Sequence, residues 1–128
     1  AALQNATFTD AVMDGALLTG ASLHGASLSG ASMIQTNFVN ANLSNTDLSN
    51  TTLRSAFLTG AQFGNANLSG ANLQEAKLAG ASFQNANLRG ADFTDTDLSD
   101  VTLTSADADS TTTWPDGFDP LSAGVNLE

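Results

Sequence analysis

A large apolar residue recurs at every fifth position from Leu3 to Leu103, without a slip or an insertion. All 21 of these positions hold Leu, Phe or Met: 14 Leu, 5 Phe and 2 Met. A period of five matches neither the 3.6-residue period of a helix nor the two-residue period of a strand. It demands a chain that turns a corner once per unit. The other slots agree. Two residues before the apolar position stands Ala in 16 of 21 units, with Thr36, Thr46, Thr51, Thr96 and Val101 in the rest. Two residues after it stands Gly, Asn or Asp in 17 of 21. Those residues tolerate the positive φ that a tight corner requires. The slots on either side of the apolar residue are mostly Ser, Thr, Asn, Asp or Gln. The unit therefore predicts Ala and Leu pointing inward, polar neighbours pointing outward, and a corner between units. No single unit can bury its Leu, so units must stack. Burying one Leu or Phe contributes roughly 1.5–3 kcal/mol, which makes a core reachable in one small domain.

Units such as Ala41-Asn42-Leu43, Ala66-Asn67-Leu68, Ala71-Asn72-Leu73, Ala86-Asn87-Leu88 and Ala91-Asp92-Phe93 closely resemble the pentapeptide-repeat family, whose unit is A-(D/N)-L-x-x. The resemblance covers residues 1–105. It implies an all-β fold, a right-handed quadrilateral β-helix with four repeats per coil and about five coils. Met13/Met33 and Phe63/Phe83, each pair 20 residues apart, agree with four per coil. At the ~4.8 Å spacing of stacked strands, the rod is roughly 25 Å long.

After Leu103 the pattern stops. Residues 106–128 read as a C-terminal cap and tail. Asp119-Pro120 predicts the start of a short capping helix, with Asp119 as N-cap and Pro at the first helical position. Trp114, Phe118, Leu121 and Val125 are expected to form the apolar face laid over the last coil. The stretch "WPDGFDP" resembles tails of cyanobacterial family members, which implies a cyanobacterial or plastid-related source. The first coil has no comparable cover: either a capping segment lies upstream of Ala1, or two open coil ends pair, since an open end favours self-association. The chain begins at Ala1 and not at Met, which reads as a processed or a recombinant form. Its compartment stays open: cytoplasm or, after removal of a signal, thylakoid lumen or periplasm. The final Leu127-Glu128 reads as a junction with a purification tag and carries no weight.

The net charge is −10, from 13 acidic and 3 basic residues. That argues against direct contact with nucleic-acid phosphates or anionic lipid. No apolar run approaches the ~20 residues of a membrane span, and there is no Cys. His24, the one His, follows Leu23 and should face solvent with no partner for catalysis. The Gly residues recur as corners and do not form a phosphate-binding loop. Asp92, Asp95, Asp97 and Asp100 occupy successive outward and corner slots, so they should fan around two faces instead of converging on a cation. Lys77 lies one coil from Asp97, which predicts a surface ion pair. No catalytic residue, metal or cofactor is expected.

Five large apolar residues occupy outward slots: Val12, Leu17, Ile34, Val39 and Phe57. At 20 residues per coil, Leu17 and Phe57 share a column with Asn37 between them. Val39 falls on the same face, and Val12 and Ile34 on the adjacent one. Contiguous apolar surface marks interaction sites. The expected function is a non-catalytic structural or protein-interaction module that presents rigid flat faces. Its partner would be another protein or a second copy, met through the apolar patch or the N-terminal coil end. The alternative is an acidic DNA mimic that inhibits a DNA-binding enzyme such as gyrase, as the resemblance implies for some relatives. Nine of the 13 acids lie from Asp92 onward, at one end of such a rod.

Overall fold

The computed structural model describes residues 1–128. Its backbone ladders are parallel and join residues 20 apart, as in Ala2–Ser22–Asn42–Gln62–Ser82–Thr102. Twenty residues per coil and five per unit give a four-sided solenoid. We number the walls I to IV. They begin with residues 1–5, 6–10, 11–15 and 16–20, and repeat at intervals of 20.

Hydrogen bonds to the coils above and below build each wall. The apolar residue donates its N–H to the coil above, as Leu43 does to the Gln62 carbonyl at 2.7 Å. The residue before it donates to the coil below, as Asn42 does to the Ala21 carbonyl at 2.9 Å. At each corner the next Ala closes a tight turn, such as Ala41 N–H to Phe38 C=O at 2.9 Å. Twelve non-glycine and eight glycine residues take a positive φ of 55–73° at corners. They include Gln35, Ser55 and Glu75, which do not favour that conformation, so stacking overrides local preference. Among the corner slots only Asp100 departs from it.

The core is one column of Leu, Phe, Met and Ala, fully buried from Ala21 upward. Thr36, Thr46 and Thr51 replace Ala inside and stay satisfied. Their hydroxyls donate to the carbonyls of Met13, Leu43 and Leu48 at 2.8, 2.6 and 2.8 Å. Leu3, Phe8, Met13 and Leu18 of the first coil are partly buried and pack against this core.

Toward the C-terminus an aromatic stack runs along the axis. Phe63 and Phe83 stack with centroids 4.7 Å apart, Phe83 meets Phe93 edge-on at 5.7 Å, and Trp114 stacks on Phe93 at 5.3 Å. Phe118 leans on Trp114 at 5.2 Å. The ladder also continues past residue 105. Asn87 pairs with Asp107 and Asp92 with Thr113. Strand β1 (Asp107–Ala108) pairs in parallel with strand β2 (Asn126–Leu127).

The cap corrects the sequence reading. Residues 120–124 form a single closed turn and no helix. Asp119 does cap it, accepting from the N–H groups of Leu121 and Ser122 and from the Ser122 hydroxyl. The turn ends at Gly124, whose φ is +86°, and the chain at once rejoins the solenoid as β2. So short a turn leaves no room for helical hydrogen bonding to propagate. Val125 is buried, Trp114 and Phe118 are partly buried against the core, and Leu121 points into solvent at 65% exposure. Leu127 pairs with Ala108, and Glu128 grips Arg89 at 2.6 and 3.1 Å.

Candidate interaction surface

The outward slot just before each apolar residue decides what a wall does. Where it holds Asn or Asp, the side chain turns back and accepts the N–H two residues on. Asn42 does so for Ser44, Asp47 for Ser49, Asn67 for Ser69, Asn72 for Gln74 and Asn87 for Arg89, at 3.0–3.1 Å. This local bond explains why the repeat favours Asn and Asp there.

Wall IV breaks the rule. Its ladder column runs Leu17–Asn37–Phe57–Lys77. Only Asn37 makes the local bond, to Val39 N–H at 3.0 Å. Leu17 and Phe57 are 83% and 44% exposed, and no side chain accepts the N–H of Thr19, Thr59 or Ala79. Val39, on the same wall one coil below Phe57, is partly buried. Val12 and Ile34 are exposed on wall III, around the shared corner. The five apolar residues thus lie on two adjoining walls within the first three coils. His24 is exposed, with its Nδ1 3.5 Å from the Asn45 amide.

Charge is partitioned by wall. Up to residue 95, Asp10, Asp14, Asp47, Glu75, Asp92 and Asp95 all lie on walls II and III. Walls I and IV carry no carboxylate over that span. Arg54 meets Glu75 at 3.2 Å, and Arg89 is gripped by Glu128 with Asp107 at 3.6 Å. Glu128 hydrogen bonding accordingly raises the Arg89 pKa. The predicted Lys77–Asp97 pair does not form, because the wall opens between them.

Several carboxyls of the acidic end titrate low. Burial pushes Asp92 up, but the Thr94 hydroxyl and N–H and the Gln74 amide outweigh it and lower the pKa. Hydroxyl and N–H donors of Ser99, Thr111 and Ser122 lower Asp97, Asp109 and Asp119 respectively. Each acid has its own local donor, as side chains in separate slots should. No group of three acidic or histidine side chains converges to hold a metal ion.

Sequence reasoning missed two features of this surface. One is the row of uncapped N–H groups beside Leu17 and Phe57. The other is a cleft of about 290 Å³ in wall IV between Lys77 and Asp97. The available signals were Val101, the one aliphatic residue other than Ala in its interior slot, and Asp100 before it.

A four-sided parallel solenoid with flat walls defines a repeat protein. The pentapeptide-repeat family model matches in 8 copies over residues 1–33, 31–70 and 66–105, and the chain belongs to that family. Its solved relatives include HetL of the cyanobacterium Nostoc sp. strain PCC 7120, a protein involved in heterocyst differentiation regulation. HetL is 29% identical with a TM-score of 0.69, and the match covers 100% of this chain and 61% of HetL. The chain thus spans about three fifths of that relative's length. A pentapeptide repeat protein of the Arabidopsis thaliana thylakoid lumen is 33% identical with a TM-score of 0.56, covering 77% of this chain and 66% of that one. QnrB1, a plasmid-mediated fluoroquinolone resistance protein, shares the fold at 20% identity and a TM-score of 0.55, with coverage of 97% and 80%. No curated protein sequence matches the chain. The family fold is a right-handed quadrilateral β-helix, in keeping with the 20-residue ladder.

Proposed function

We propose that this protein is a non-catalytic interaction module and that wall IV, centred on Phe57, is its contact face for a protein partner. One observation carries the reading. Leu17 and Phe57 fill, in one column, slots that hold mainly Ser, Thr, Asn or Asp on the other walls, several of them bonded to their own backbone, and both are exposed. An aromatic ring there gives up a local hydrogen bond and gains little burial. Val39 on the same wall and Val12 and Ile34 around the corner extend the patch, and the absence of carboxylates on wall IV through residue 80 keeps it easy to desolvate.

The test uses the full chain as bait. Phe57→Asp is expected to remove partners captured by the wild type without lowering the melting temperature. Unchanged capture, together with a monomeric wild type at high concentration by light scattering, overturns the reading. The acidic DNA-mimic alternative draws on the net charge of −10. The confinement of acids to walls II and III and to the C-terminal end supports the interaction reading over it. A gyrase supercoiling assay separates the two, with no inhibition expected at micromolar protein.

A further inference from the structure

Walls III and IV change character along the rod. Over the first three coils they carry one acid, Asp14, and one base, Arg54. Val12, Leu17, Ile34 and Phe57 lie exposed on that stretch. Over the next two coils the same walls carry Glu75, Asp92, Asp95, Asp97 and Asp100 against Lys77 alone. The face is apolar and neutral at one end and acidic at the other.

The spacing on wall IV selects what can cover it. Leu17, Val39 and Phe57 sit on successive coils. Coils stack at the strand spacing, so Val39 lies about 4.8 Å and Phe57 about 9.6 Å along the axis from Leu17. An α-helix laid along the axis presents residues i, i+4 and i+7 on one side at about 0, 6 and 10.5 Å. An extended strand on the same line repeats its side chains about every 6.7 Å and falls out of step. A second copy of the chain would match the spacing but not the area. Three coils of one wall offer only about 10 by 15 Å, far below the ~800 Å² that each partner buries in a stable dimer. A helix about 10 Å across fits that strip.

Past Phe57 the same helix runs over Lys77 and reaches the acidic coils. Its residues i+11 to i+15 fall there, about 16 to 22 Å from Leu17. Charge complementarity makes those residues basic. We propose that wall IV receives an amphipathic helix of a partner protein, lying along the rod axis. Its apolar residues at i, i+4 and i+7 cover Leu17, Val39 and Phe57, and its Lys or Arg residues at i+11 to i+15 lie over Asp95, Asp97 and Asp100. Such anchor spacing is the usual signature of a helix docked on an apolar surface. The uncapped N–H groups of Thr19 and Thr59, beside the two exposed side chains, give side-chain oxygens of the helix a donor to meet. The inference rests on the interaction reading above and names the chemistry of the partner.

The test is a fluorescence anisotropy titration of the full chain with a labelled peptide of about 18 residues, long enough to span five coils. It carries Leu at i, i+4 and i+7, Lys at i+11, i+14 and i+15, and Ala and Gln elsewhere. One control has the same composition in an order that scatters the Leu residues around the helix. Another replaces Lys by Glu. Saturable binding with a gain of helical circular dichroism is expected for the first peptide, and at least tenfold weaker binding for both controls. Leu17→Asn with Phe57→Asn, which restores ordinary outward residues, should weaken binding at least tenfold. Gln62→Asp, on wall I, should leave it unchanged. Amide resonances of Thr19, Val39 and Thr59 should shift on binding, while those of Ser49 and Ser69 on wall II stay. Equal binding of the scattered peptide would mean that charge alone attracts it, which overturns the inference. So does binding without helix formation, or an amide map centred on another wall, even if the double variant does not fold. Sedimentation without peptide tests the other occupant. A wild-type dimer that Phe57→Asp dissociates, and that ignores the peptide, would assign wall IV to a second copy and sink the helix. Loss of partner capture in Phe57→Asp without peptide binding to the wild type leaves the patch standing and the helix fallen. Peptide binding on wall IV with capture unmoved by Phe57→Asp leaves the helix site standing and the earlier reading fallen.

Discussion

Walls II and IV are made from the same five-residue unit and share one core, yet they behave differently. The column of wall II runs unbroken from Thr7 through Ser27, Asp47, Asn67 and Asn87 to Asp107, and β2 extends it to Asn126. Its outward residues bond to their own backbone and to each other, as Asn87 does to Asn67 at 3.3 Å and Ser29 to Ser49 at 3.1 Å. Wall IV has such a residue in Asn37 and again in Asp97, with Phe57, Lys77 and a gap between them. The outward slot is therefore free to vary once the inward pair is in place. A wall either bonds to itself or presents side chains to something else.

If the walls differ only in their outward slots, the core must be common to both. Leu68, fully buried on wall II, is the largest test. Leu68→Asp places an unpaired charge in an apolar column, at a cost of several kcal/mol. It should abolish the β-type circular dichroism at 25 °C. A folded variant with an unchanged melt would remove the shared core on which the comparison rests.

Acid should separate the two ends of the rod. Asp92, Asp97, Asp109 and Asp119 have folded pKa values below the ordinary Asp value. Groups lowered on folding contribute fully above about 3.9 and lose that contribution as pH falls through the lowered values. All four lie from Asp92 onward, so the C-terminal end should loosen first. Trp114, which sits there, should change its fluorescence at a higher pH than the backbone dichroism changes. Coincident transitions would show that the two ends are not distinct.

A smaller test exchanges residues between walls. Asn67→Phe removes the bond to Ser69 N–H and the Asn87 contact, at about 1–2 kcal/mol. Phe57→Asn adds a bond to Thr59 N–H worth about 0.5–1.5 kcal/mol, which offsets the lost packing of a half-exposed ring. Denaturant melts should show a clear loss for the first and a change under about 1 kcal/mol for the second. Equal losses would make Phe57 a structural residue. The smallest effect belongs to the corners, which all walls share. Gln35→Gly relieves a left-handed φ of 56° and should stabilise by up to about 1 kcal/mol, less the entropy of the added glycine. A loss there would mean that the Gln35 side chain contributes more than its corner strain costs.

Much of this was legible in the residues. The five-residue period, the inward Ala and Leu and the left-handed corners all follow from slots repeated 21 times, so one misfit could not hide the pattern. The exposed apolar residues were legible for the same reason, since Leu17 and Phe57 stand out against Asn and Ser in equivalent slots. The cap was less so. Asp119-Pro120 carries a helix-start signal, but whether a helix propagates depends on where the chain must go next, and β2 draws it back after one turn.

The sequence alone therefore determined the unit, the core and the outward slots, because those are local choices made again in every repeat. Only the tertiary structure decided the state of wall IV above Phe57. Lys77 and Asp97 are 20 residues apart and in register, and charge alone would have joined them. Whether they meet depends on the course of the chain through the following corner, where Asp100 lacks the positive φ of the other corners and the ladder bonds between Leu78 and Asp97 and between Asp97 and Ala76 do not form.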